Sequence, residues 1–123
     1  QVSEIIDSCG PDFEVISGED TLTWPILAIG GKGTISVTAN LVPDKCAKMC
    51  RAAREGDVDK AKELHYELLK LNDILFIETN PIPVKAALAL MGRIQNEFRP
   101  PLCAPTEEHL SQLKAVLETY ELL

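Results

Sequence analysis

The side chains able to act as nucleophiles, bases or metal ligands are scattered in this sequence. Its cysteines are Cys9, Cys46, Cys50 and Cys103, and no two have the CxxC spacing that chelates zinc or runs disulfide chemistry. Cys46 and Cys50 share a stretch with Met49 and Ala53 at helical spacing, the pattern of buried, reduced thiols. His65 and His109 each fall in a helical stretch, with no Ser or Cys arrangement to link them, which predicts surface or partly buried histidines rather than general bases. The lysines other than Lys32 lie in helices or loops among charged neighbours, so no desolvated nucleophilic amine is expected. These residues predict no metal site, no cofactor and no complete catalytic centre.

Two glycine-bearing stretches are better candidates. Gly30-Gly31-Lys32-Gly33-Thr34 has the composition of a phosphate loop, but that motif needs Gly-Lys-Ser/Thr after a strand and before a helix, and here the order is reversed. A glycine-rich helix-to-strand turn is the simpler reading. Ser17-Gly18-Glu19-Asp20 follows a strand-like run, and glycine there lets a ligand approach the backbone. The plainer alternative is that Gly18 makes the strand's exit turn while Glu19 or Asp20 caps the helix that follows.

The elements that hold these stretches can be read from periodicity. Val2 to Ser8 looks like the middle of a helix. Phe13-Glu14-Val15-Ile16-Ser17, between Gly10-Pro11 and Gly18, predicts a buried strand. Leu22, Ile26 and Ile29 predict a short helix over Thr21–Ile29, with Pro25 tolerated in its first turn. Thr34-Ile35-Ser36-Val37-Thr38 predicts a second strand, and so short a strand–helix–strand crossover implies parallel pairing. Beyond Asn40 only helical patterns follow. One covers Pro43 to Arg54 and stops at Gly56. The next is capped by Asp57 and repeats Val58, Ala61, Leu64, Leu68, Leu71 and Leu75. A third begins around Pro81 and Pro83 and runs through Val84, Leu88 and Met91. The last has Thr106 as its N-cap, Glu107 and Glu108 in its first turn, and Leu110, Leu113, Leu117 and Tyr120 facing inward.

Two parallel strands leave two open edges and cannot support a core alone. A chain of βα units followed by helices therefore fits the last part of a parallel α/β barrel with a helical extension. The expected division is a barrel part over residues 1–56 and a helical C-terminal domain over residues 57–123. The opening Gln in place of Met, within a helical pattern, suggests a fragment. A net charge of −7 repels a phosphate backbone, which argues against nucleic acid as a partner. No apolar run approaches the roughly 20 residues a membrane-spanning helix needs, so no membrane partner and a cytoplasmic protein are expected.

Read in order, Ile16-Ser17-Gly18-Glu19-Asp20, then Gly30-Gly31-Lys32-Gly33-Thr34-Ile35-Ser36-Val37-Thr38-Ala39-Asn40, then Asn80-Pro81-Ile82-Pro83-Val84-Lys85 closely resemble the dihydrodipicolinate synthase family. The resemblance runs the length of the chain. It implies a (β/α)₈ barrel whose last two strands are those read above, followed by the family's helical C-terminal domain. It also implies a Schiff-base lyase of lysine (diaminopimelate) biosynthesis, with pyruvate and L-aspartate 4-semialdehyde as substrates. The catalytic lysine would lie on the strand just before this chain, in the N-terminal remainder of the barrel, so no catalytic residue is expected here. Substrate binding carries over as two backbone roles, Gly18 beside bound pyruvate and Ile35 with its carbonyl toward the catalytic lysine. The resemblance further implies a homotetramer, with the helix around Ile26 to Ile29 meeting the second dimer.

Two rivals remain. A sister enzyme such as N-acetylneuraminate lyase resembles Gly-x-Asp-Glu after the first strand, whereas Thr21 stands here where the second acid would fall. A non-catalytic helical interaction module would account for the amphipathic helices but not for the βαβ start.

Overall fold

Proline and glycine delimit the best-defined helix. Pro43, whose missing N–H costs nothing in a first turn, opens it, and Gly56 ends it in the left-handed region at φ 78° and ψ 11°. A computed structural model describes residues 1–123. Its elements are α1 (Val2–Cys9), β1 (Ile16–Ser17), α2 (Thr23–Ala28), β2 (Gly33–Thr34), α3 (Pro43–Glu55), α4 (Val58–Ile74), α5 (Ile82–Leu90) and α6 (Glu107–Thr119). Short 3₁₀ turns at Asp20–Leu22 and Thr38–Asn40 follow the two strands. The chain divides into two compact units, Gln1–Leu68 and Leu69–Leu123, and α4 runs through the boundary.

In the first unit β1 and β2 pair in parallel, with Ile16 opposite Gly33 and Ser17 opposite Thr34. The amides of Lys32 and Ile35 extend the pairing by donating to the carbonyls of Val15 and Ser17, each at 2.8 Å. Both strands are shorter than predicted. The run beginning at Phe13 is bridged only at Ile16–Ser17, with the Val15 carbonyl also engaged, and Phe13 is exposed. The run from Thr34 to Thr38 leaves the ladder after the Ile35 amide, since the amides of Val37 and Thr38 turn instead to the Asp20 carboxylate.

The helix predicted over Thr21–Ile29 begins with a 3₁₀ turn and is regular only from Thr23 to Ala28. Of its apolar triplet only Ile26 is buried, while Leu22 and Ile29 lie exposed. α3 buries Cys46, Met49 and Ala52, so the inward face passes through Ala52 rather than Ala53, and Cys50 is half-buried. α4 is capped as expected, with the Lys60 amide donating to Asp57 Oδ1 at 3.0 Å. Ala61, Leu64 and Leu68 are buried along it, but Val58 is 60% exposed because it stands on the first turn, beyond the reach of the core.

In the second unit Leu71, near the end of α4, and Leu75, just beyond it, are fully buried. α5 opens with Pro83 in its first turns and buries Ile82, Val84, Ala86 and Ala87. α6 packs against α5 and buries Leu113 and Leu117, while Leu110 and Tyr120 are half-buried. Thr106 Oγ1 caps α6 by accepting from the His109 amide at 3.2 Å.

Candidate functional site

Parallel strands leave their open loops at their C-terminal ends, and both candidate substrate contacts lie there. Ser17 pairs with Thr34, so Gly18 and Ile35 are the next residues along the same ladder. Gly18 is exposed, and a side chain built on it would meet nothing within 4 Å. The Ile35 side chain is 77% exposed, while its amide is fixed to Ser17.

A tight polar turn holds the β1 exit. Ser17 Oγ donates to the Glu19 carbonyl at 2.9 Å and accepts from the Glu19 amide at 3.2 Å. Glu19 Oε1 accepts from the amide of Thr21 at 3.3 Å and from its hydroxyl at 2.9 Å, so Glu19 is the cap that the sequence left open. Thr23, fully buried, donates its hydroxyl to the Glu19 carbonyl at 3.2 Å and contacts Thr34 Oγ1 at 3.0 Å.

Asp20 does something its sequence position did not disclose. It is 5% exposed, and its carboxylate accepts from the Ser36 hydroxyl, the Val37 amide at 2.8 Å and the Thr38 amide at 3.2 Å. The two strand exits are thereby tied together. Cys46 lies beneath them with Sγ 4.0 Å from Ser36 Oγ. Burial pushes that thiol up to about 11, so it is inert near neutral pH. Cys50 is raised for the same reason.

The remaining candidates lie elsewhere. His65 is buried against Trp24 and Tyr66, at ring-centre distances of 5.5 and 5.1 Å. Its Nδ1 has no hydrogen-bond partner, and burial lowers its affinity for a proton. It is more enclosed than its sequence context suggested, because Trp24 of α2 covers it. His109 Nδ1 lies 2.7 Å from Glu78 Oε1. Glu78 also accepts from the Thr106 amide at 3.0 Å, and that bond, then His109, holds its carboxyl below the usual range. No three His, Cys, Asp or Glu side chains cluster where they could hold a metal ion.

The Gly30–Gly33 stretch borders a cavity of about 740 Å³ with Lys32, Arg51 and Arg54 on its wall. It lies before β2, away from the strand exits. The amides of Gly30, Gly31 and Lys32 all donate to main-chain carbonyls, those of Leu27, Ile26 and Val15. The loop is thus a turn with no amides left to cradle a phosphate.

A paired parallel βα exit braced by a buried carboxylate belongs to the α/β class, and the comparisons give its family. The model of the dihydrodipicolinate synthetase family matches residues 1–120, and the chain belongs to that family. It is 54% identical over 117 residues to the 4-hydroxy-tetrahydrodipicolinate synthase of Nitratidesulfovibrio vulgaris strain DP4, covering 95% of this chain and 40% of that protein. Over its full 123 residues it is 50% identical to the corresponding synthase of Thermodesulfovibrio yellowstonii, of which it covers 42%. The crystal structure of dihydrodipicolinate synthase from Aquifex aeolicus superposes with a TM-score of 0.96 at 47% identity, over 98% of this chain and 41% of that one. The chloride-inhibited dihydrodipicolinate synthase from Acinetobacter baumannii, complexed with pyruvate, superposes at 0.95 with 36% identity, over 99% of this chain and 42% of that one. The chain spans about 40% of the length of these relatives. Its fold is the C-terminal part of a (β/α)₈ barrel, the last two strands with their helices, followed by helices.

Proposed function

We propose that this chain forms the C-terminal part of a Schiff-base lyase that condenses pyruvate with L-aspartate 4-semialdehyde to 4-hydroxy-tetrahydrodipicolinate in lysine (diaminopimelate) biosynthesis. The observation that carries this is the identity of 54% with a 4-hydroxy-tetrahydrodipicolinate synthase, sustained over 95% of the chain.

In this reading a lysine amine from the N-terminal remainder of the barrel attacks the pyruvate ketone. A C–N bond forms and water leaves. Loss of a methyl proton gives the enamine, whose carbon adds to the aldehyde of the second substrate and forms the new C–C bond; the amine of that substrate then attacks the imine carbon, closing the ring as the lysine amine leaves. The reaction needs no metal or cofactor. This chain contributes backbone: Gly18, without a side chain, lines bound pyruvate, and the Ile35 carbonyl faces the lysine. No catalytic side chain lies in residues 1–123, so the chain by itself is inactive. The barrel part ends at residue 56 and the helical domain is 57–123. The enzyme works in the cytoplasm as a homotetramer, and neither nucleic acid nor membrane is a partner.

The test is to assay the full-length protein for condensation of pyruvate with L-aspartate 4-semialdehyde, beside cleavage of N-acetylneuraminate. Condensation alone is expected. Preferential cleavage of the sugar acid would transfer the chain to the sister lyase, and neither activity would favour a non-catalytic module.

A further inference from the structure

Asp20 lies just beyond the β1 exit, yet each of its hydrogen-bond donors named above comes from the β2 exit. A carboxylate at 5% exposure is costly unless its oxygens are satisfied, and the chain satisfies these with one hydroxyl and two consecutive amides. Ser36 Oγ accepts in turn from the Ala39 amide at 2.9 Å, so residues 36–39 are folded around the carboxylate. Ile35 immediately precedes that fold, and its own amide is held by Ser17 at 2.8 Å. The Ile35 peptide is therefore pinned from both sides, by β1 on one and by Asp20 on the other. Asp20 is itself attached through Glu19 to the turn that presents Gly18.

We propose that Asp20 is a positioning residue for the pyruvate site, a buried strut that fixes the Ile35 carbonyl relative to Gly18 without touching substrate. The inference rests on the pyruvate reading above and extends it to a residue with no direct part in the chemistry. A misplacement of about 1 Å in such a site can cost on the order of a hundredfold in rate. Losing the strut should therefore appear in substrate binding and imine formation, beyond any loss of stability.

The experiment uses the full-length protein with Asp20→Ala, Asp20→Asn and Ser36→Ala, and Leu113→Ala as a control destabilised within the second unit. Asp20→Ala should raise KM for pyruvate about tenfold and slow borohydride-trappable adduct formation to match. Asp20→Asn keeps the shape and one acceptor oxygen for the Val37 and Thr38 amides, and should restore most of both. Ser36→Ala should fall between them, and Leu113→Ala should leave KM unchanged. If Asp20→Ala does not fold, Ser36→Ala carries the test, with a rise of about threefold in KM expected. Wild-type KM and trapping rates in Asp20→Ala, or in Ser36→Ala where it stands in, would overturn the proposal. So would an equal KM rise in Leu113→Ala. Should the wild-type protein form no pyruvate adduct, the pyruvate reading itself falls. Amide exchange still judges the strut: faster exchange at Val37 and Thr38 in Asp20→Ala and at Ala39 in Ser36→Ala is expected, and wild-type exchange at all three would refute it.

Discussion

The Asp20 carboxylate accepts the Val37 amide at 2.8 Å, joining the loop after one strand to the loop after its parallel neighbour. The ladder bridges only Ile16–Ser17 with Gly33–Thr34. The Asp20 bonds and the Thr23–Thr34 hydroxyl contact hold it in register at the end where the backbone is proposed to meet substrate.

Glycines 18 and 31 should respond oppositely to alanine. A Cβ on Gly31 would stand 2.5 Å from Ile26 Cγ2 and 2.8 Å from its carbonyl oxygen, and the backbone atom cannot give way. Gly31→Ala should cost about 1–3 kcal/mol in denaturant unfolding. A Cβ on Gly18 meets nothing within 4 Å, so Gly18→Ala should fold normally and raise KM for pyruvate instead. A stability loss at Gly18 with unchanged KM would count against its backbone role.

Leu113 and Leu117 are 1% and 0% exposed on the face of α6 that packs against α5. Truncating either to alanine should cost about 2–5 kcal/mol, measured by chemical denaturation. Leu110, only half-buried, should cost less.

Most helices were legible because their signals are local. Asp57 and Thr106 cap where their types and positions say they should, and Gly56 stops α3 as a left-handed glycine. The strands are shorter than the runs Phe13–Ser17 and Thr34–Thr38 suggest, because such a run records the propensity of residues, whereas a ladder is set by which amides and carbonyls meet. The candidate site was legible only by resemblance. Gly18 and Ile35 are proposed to act through backbone, and a backbone role leaves little trace in composition. The pairing of Asp20 with Ser36, Val37 and Thr38 spans 16 to 18 residues, beyond any local pattern. Nor could periodicity show that Trp24 would cover His65.

Glu78 should make the second unit acid-sensitive. The Thr106 amide and His109 hold its carboxyl below its ordinary value of 4.5 in the folded chain. A group depressed in this way contributes stability that is fully present above its unfolded value and is lost as pH falls through the folded value. The stability difference between wild type and Glu78→Gln, followed by thermal melts, should therefore shrink as pH drops below 4.5. A constant difference would rule out the linkage.

Cys46, with its thiol pushed up to about 11, should resist iodoacetamide at pH 8 in the folded protein and react only on unfolding. Labelling of the native protein followed by peptide mass mapping decides this, and Cys46 modified as fast as exposed Cys103 would contradict its burial.

This chain is proposed to complete a pyruvate site whose nucleophile lies elsewhere. The most direct test is to incubate the full-length protein with pyruvate, reduce with borohydride and map the adduct by peptide mass. One modified lysine, N-terminal to this chain, is the expected result of a site completed in this way. An adduct on Lys32 or any other lysine within residues 1–123, or no adduct at all, would contradict it.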